Sequence, residues 1–137
     1  MKNSLIAAQV LALGVLTLSG QAFAACTGNS LNQTQLDAQI VGNTVCATRG
    51  NDRWQEYHAG NGDLIDYKLG PTHAVDPSKK VGTWSIVGNG GNAVMRYNYG
   101  SGGTYDYEVF SNGGGSYSFC SGGELAVTVI GGQSACP

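Results

Sequence analysis

Charge is scarce in this chain. Of its 137 residues only 12% are Asp, Glu, Lys or Arg, about half of ordinary usage. Seven basic residues stand against nine acidic ones, a balance that removes electrostatic nucleic-acid binding as a first choice. Prolines number three and histidines two. No Cys-x-x-Cys pair exists, and the cysteine spacings fit no zinc site. Gly-x-Ser-x-Gly is absent, and no glycine-rich loop opens a helix, so neither a hydrolase elbow nor a phosphate loop is expected. Asp63, Asp66 and Asp76 are dispersed, not set at calcium-loop spacing. No metal and no cofactor are expected. Past residue 24 no apolar run is long enough to span a bilayer as a helix.

Glycine, by contrast, is abundant at 22 residues, and 42% of the chain is hydrophobic. The apolar content argues for a buried core rather than disorder, and the length suits one domain. The start of the chain reads as an export signal. Lys2 precedes an uncharged apolar run from Leu5 to Leu18, and Ala22-Phe23-Ala24 supplies the small-x-small cleavage pattern. The expected organisation is a cleaved signal peptide over 1–24 and a single β-barrel domain over 25–137. The short signal has a bacterial look, which places the mature protein in the periplasm or outside the cell. Phe23-Ala24-Ala25-Cys26 also resembles a bacterial lipobox, with Phe23 where leucine is usual. Cysteine arithmetic argues against lipidation. Cys26, Cys46, Cys120 and Cys136 make an even set in a small exported chain, which reads as two disulfides.

One helix is expected, capped by Ser30, with Leu31, Leu36 and Ile40 at roughly helical spacing and Gly42-Asn43 as its stop. After it, Gly, Asn, Asp and Ser clusters cut the chain at short intervals. Between them lie strand-like runs at Thr44 to Arg49, Trp54 to Ala59, Leu64 to Leu69, Val81 to Val87, Ala93 to Tyr99, Thr104 to Ser111, Ser116 to Ser121 and Glu124 to Ile130. Most connections are hairpin length, so neighbours should pair antiparallel. The fold class is therefore all-β. An eight-stranded antiparallel meander that closes into a barrel removes its own edges; a two-sheet sandwich is the alternative. If the helix carries the chain from one barrel end to the other, Cys26 and Cys120 fall at the first end. Cys46 and the exit toward Cys136 then fall at the second. That layout pairs Cys26 with Cys120 and Cys46 with Cys136.

Alternation assigns faces. Ile65, Tyr67 and Leu69 share one side, as do Met95, Tyr97 and Tyr99, then Tyr105, Tyr107 and Val109, then Leu125, Val127 and Val129. The apolar side is rich in rings. A barrel of eight strands has room for side chains or for one small ligand, and rings suit a flat apolar ligand. The candidate contacts are Trp54, Tyr67, Trp84, Tyr97 and Tyr107. Glu56 and His58, two apart on one strand, are a conceivable acid/base pair, but the plainer reading puts them on a solvent-facing sheet surface. Catalysis is not expected. The connection from Gly70 to Lys80 is the one extended loop, and its His73, Asp76, Lys79 and Lys80 are candidates for contact with a protein partner.

Gly82-Thr83-Trp84 matches the short Gly-x-Trp element of lipocalins and their calycin relatives, which the strand meander also resembles. In those proteins the element lies on the first strand, whereas here it falls on the fourth. The resemblance spans roughly Thr44 to Ile130, implies a calycin-like barrel with a ligand at its mouth, and carries no binding residue across. The chain is also similar in size, barrel form and disulfides to small exported bacterial lysozyme inhibitors. That likeness implies the alternative role, binding or inhibiting an envelope or lysozyme-like enzyme.

Overall fold

A computed structural model describes residues 25–66 and 79–137. The expected signal segment, Tyr67, Leu69, His73 and Asp76 lie outside the described residues. One helix, α1 (Gln33–Gln39), is followed by β1 (Asn43–Arg49), β2 (Asp52–His58), β3 (Asp63–Asp66), β4 (Lys79–Val87), β5 (Val94–Asn98), β6 (Thr104–Gly113), β7 (Ser116–Cys120) and β8 (Glu124–Gly131). The eight strands form a closed barrel in chain order. β8 returns to pair antiparallel with β1, from Asn43 opposite Gly131 to Ala47 opposite Val127. That closure excludes the two-sheet sandwich.

Three local expectations are corrected. Asn32, not Ser30, caps the helix: its side chain accepts from the Gln35 N–H while the Gln35 side chain accepts from the Asn32 N–H. This reciprocal pair satisfies two donors that a helix start leaves open. Lys79 and Lys80 belong to β4 rather than to the preceding connection, because they pair with Asp66 and Ile65 of β3. Lys80 also forms an ion pair with Asp63 at 2.6 Å. The third correction concerns the face of β3. Leu64 is fully buried while Ile65 is only partly so. The turn after β2 decides this. Ala59 N–H donates to Asp63 O and Gly62 N–H to Ala59 O, which sets Leu64 opposite His58 and Ile65 opposite Tyr57. A one-residue change of register exchanges the two faces of a strand.

The barrel ends differ. Ile40, Gln39 and the start of β1 lie at one end, where the Tyr117 hydroxyl donates to Gln39 Oε1 at 2.9 Å. Leu31, Leu36 and Ile40 merge there with Leu64, Ala93, Met95 and Val109 into one apolar core. Leu31 N–H also donates to Val109 O at 2.7 Å, continuing the ladder of β6 beyond the short β5. Both disulfides have the expected pairing, Cys26–Cys120 and Cys46–Cys136. The first ties down the segment that leads into α1, so the Cys26 sulfur is committed to Cys120 rather than to a lipid. The second pins the C-terminal tail across the outside of β1 and β2. There Thr44 Oγ1 donates to Gly132 O, and Cys136 N–H donates to Gln55 Oε1. Bridges across 94 and 90 residues restrict the unfolded chain over most of its length.

Candidate functional site

Strand alternation sends Val45, Ala47 and Arg49 of β1 to the same side as their β2 partners, with Val45 opposite Glu56 and Ala47 opposite Trp54. That side is the barrel interior. Glu56 is 9% exposed and His58 0%. The expectation of a solvent-facing Glu56–His58 pair is overturned. Trp54, Glu56 and His58 occupy alternate positions on β2, and burial of the tryptophan takes both titratable groups inside with it. Tyr57 and Gln55 take the outer face.

The two groups then part company. His58 lies toward the end that α1 covers, the closed end, where Gly42 N–H donates to its carbonyl oxygen. Its Nδ1 is 3.0 Å from the Glu56 carbonyl oxygen and its Nε2 is 2.8 Å from the Tyr97 hydroxyl. A carbonyl can only accept, so Nδ1 carries the proton and Nε2 accepts from Tyr97. Burial lowers the His58 pKa to about 4, so the ring is neutral at physiological pH. Tyr97, held by that bond, is itself buried, and burial pushes its hydroxyl well above the usual tyrosine range. Trp84 packs on His58 with ring centroids 5.9 Å apart and donates from Nε1 to Ala59 O at 3.0 Å.

Glu56 faces the other way, into a cavity of about 420 Å³. The cavity sits at the end where β1 and β5 finish, away from α1. Its wall includes Val45, Ala47, Arg49, Trp54, Glu56, Tyr97, Tyr99, Tyr105, Tyr107, Phe119, Leu125 and Val127. The rings form a connected set. Tyr97 and Tyr107 meet edge to face at 5.9 Å, Tyr107 and Phe119 at 5.9 Å, and Tyr99 and Tyr105 edge to face at 6.1 Å. The Tyr99 hydroxyl lies 3.1 Å and 2.9 Å from the two carboxylate oxygens of Glu56 and donates to them. Desolvation raises the Glu56 pKa to about 7; the Tyr99 bond opposes that rise and the charge of Asp66, its β3 partner, adds to it.

Glycine makes room for this arrangement at one position. Gly82, the first residue of the Gly-x-Trp element, lies against β5. A Cβ there would run into the Asn98 carbonyl oxygen and come within 3.2 Å of the Tyr99 ring. Any larger residue would displace the strand that presents Tyr97 and Tyr99.

Of the expected ligand contacts, Trp54, Tyr97 and Tyr107 line one cavity, whereas Trp84 packs toward the closed end. Tyr67 lies outside the described residues. Of the expected partner loop, Lys79 and Lys80 are strand residues and His73 and Asp76 lie outside the described residues. Glu56, Tyr99, Tyr105 and Phe119 belong to the wall as well. Tyr99 and Tyr105 were legible from alternation, since they share faces with Tyr97 and Tyr107. Glu56 was legible only from sharing its face with Trp54. Among the described residues no group of three His, Cys, Asp or Glu could hold a metal, and no helix is long and apolar enough to cross a membrane. Compared with protein-family models, curated proteins and solved structures, the chain matches none.

Proposed function

We propose that this is an exported, non-catalytic, calycin-like barrel that binds a small, largely apolar or aromatic ligand at its open end. The observation that carries the reading is the ring-lined cavity of about 420 Å³ beside Trp54, Tyr97 and Tyr107. Its size falls in the range of small-molecule pockets, roughly 300–1,000 Å³. A few polar groups among mostly apolar walls are what such a pocket needs to orient a ligand. The non-catalytic part rests on His58, whose two ring nitrogens are both engaged and whose ring is held away from the cavity wall. Two disulfides and the signal-like start support export. The test is tryptophan fluorescence against a panel of flat apolar probes. Binding should alter the emission of Trp54, so the response should vanish in Trp54→Phe and survive in Trp84→Phe. A panel that leaves the emission of the intact protein unchanged overturns the reading.

A further inference from the structure

We infer that the cavity takes a small organic monocation, an aromatic or apolar body bearing one ammonium group, with Glu56 as counter-ion and the surrounding rings as walls. This rests on the ligand-binding reading above and names the ligand's class.

The inference starts from a buried carboxylate that has no ion-pair partner among the described residues. Among the described residues Glu56 is the one acidic residue in the cavity wall, and it is 9% exposed. Both its oxygens receive the same donor, the Tyr99 hydroxyl. Among the described residues the ion pairs are Lys80 with Asp63 and Arg96 with Asp106, and neither includes Glu56. A buried carboxylate is costly until it meets an opposite charge and further donors. An ammonium group beside Glu56 would supply both. The rings next to it offer π-faces that attract a cation further. An uncharged ligand would leave the carboxylate as it is, and an anion would set a second negative charge beside it.

The groups around Glu56 agree with this assignment. On β2, His58 is neutral. Across β3, Asp66 adds negative charge. On β5 and β6, Tyr97, Tyr99 and Tyr107 all have hydroxyls held above the ordinary tyrosine range by burial. On β1, Arg49 is exposed at the mouth and acts on Tyr107. The Arg49 guanidinium at the mouth disfavours a second cationic centre on the ligand. Because burial raises the Glu56 pKa to about 7, a cation should bind its ionised form, displace a proton and gain affinity as pH rises.

The experiment is calorimetric titration of the disulfide-intact protein with three ligands that share one body: tryptamine, 3-propylindole and indole-3-propionate. At pH 8, tryptamine should bind at least ~10-fold more tightly than 3-propylindole. Its affinity should fall ~10-fold or more by pH 5.5, where Glu56 is protonated, while that of 3-propylindole stays level. Glu56→Gln should erase both the preference and the pH dependence with the near-ultraviolet circular dichroism unchanged. Tyr99→Phe keeps the ring but removes the donor that holds the carboxyl down, so the midpoint of the pH dependence should move upward. This second variant tests the assignment even if Glu56→Gln folds poorly. If 3-propylindole binds as tightly as tryptamine, or Glu56→Gln retains the preference, the cation assignment is overturned and the ligand-binding reading stands. A preference for indole-3-propionate overturns it too and transfers the recognition to Arg49. Binding by none of the three overturns both.

Discussion

The two ends of this barrel are built from the same alternating strands and behave differently. At the closed end, α1 brings Leu36 and Ile40 against Leu64 and Met95, and all four are 0% exposed. The polar groups there are matched in pairs, His58 with Tyr97 and Tyr117 with Gln39. At the other end the described residues leave a cavity of about 420 Å³. Rings stand around it, Tyr105 is 47% exposed, and Glu56 is held by one hydroxyl. The difference teaches where stability and chemistry reside. One end gives apolar burial and satisfied hydrogen bonds, and the other keeps a carboxylate in surroundings that disfavour its charge. Sites that bind are commonly drawn from such less optimised regions.

The largest effects should come from the closed end. Leu36→Ala removes a fully buried side chain of the helix plug and should cost about 2–5 kcal/mol. Leu125→Ala, in the wall of the existing cavity, should cost clearly less. Equal losses in urea unfolding would mean that the two ends are packed alike. Outside the closed end, removing the Cys26–Cys120 bridge as a double alanine variant should cost a similar amount, roughly 2–5 kcal/mol. The amide protons lost first on hydrogen exchange should be those of α1 rather than those of β7 and β8.

A pH series separates the ends by sign. The Glu56 pKa is raised, so its contribution to stability is full below about 4.5 and is lost as pH rises to about 7. The His58 pKa is lowered, so its contribution is full above about 6.5 and is lost as pH falls toward about 4. Between those limits the two oppose each other. Glu56→Gln should therefore exceed the parent protein in stability at pH 8, by an amount on the order of 1–3 kcal/mol. At pH 4.5 the two should be nearly level. A variant no more stable at pH 8 would show that the carboxylate is well solvated or paired.

Smaller effects sharpen the contrast. Tyr97→Phe leaves His58 Nε2 buried without its donor and should cost about 1–3 kcal/mol. Tyr105→Ser, at the exposed rim, should change stability by within about 1 kcal/mol. If the rim substitution proved the more damaging, Tyr105 would be holding the mouth together rather than bordering it.

Much of the fold was legible in the order of residues. Hairpin-length breaks and alternating apolar positions from Thr44 onward imply an antiparallel meander. Closure follows from the need to leave no edge. An even cysteine set with Cys26 ahead of the helix, and Cys136 beyond the last strand, implies both bridges. The candidate site was only partly legible. Met95, Tyr97 and Tyr99 alternate with Arg96 and Asn98, so the inner face of β5 is unambiguous. On β2 both faces mix aromatic and polar residues, Trp54, Glu56 and His58 against Gln55 and Tyr57, and composition does not decide between them. On β3 the apolar pair Leu64 and Ile65 fits either parity.

By itself, then, the order of residues determined the secondary elements, their sequential pairing, the covalent links and the faces of strands whose two sides differ in polarity. These depend on near neighbours and on backbone geometry, which alternation and turn residues report directly. The tertiary structure alone decided that Glu56 lies inside, that Tyr99 holds it, that Trp84 packs beside His58 rather than in the wall, and that the described rings border a cavity at one end. Those outcomes depend on the volume left after distant strands and the helix have packed. A side chain's surroundings, and with them its charge, are set by residues far away along the chain.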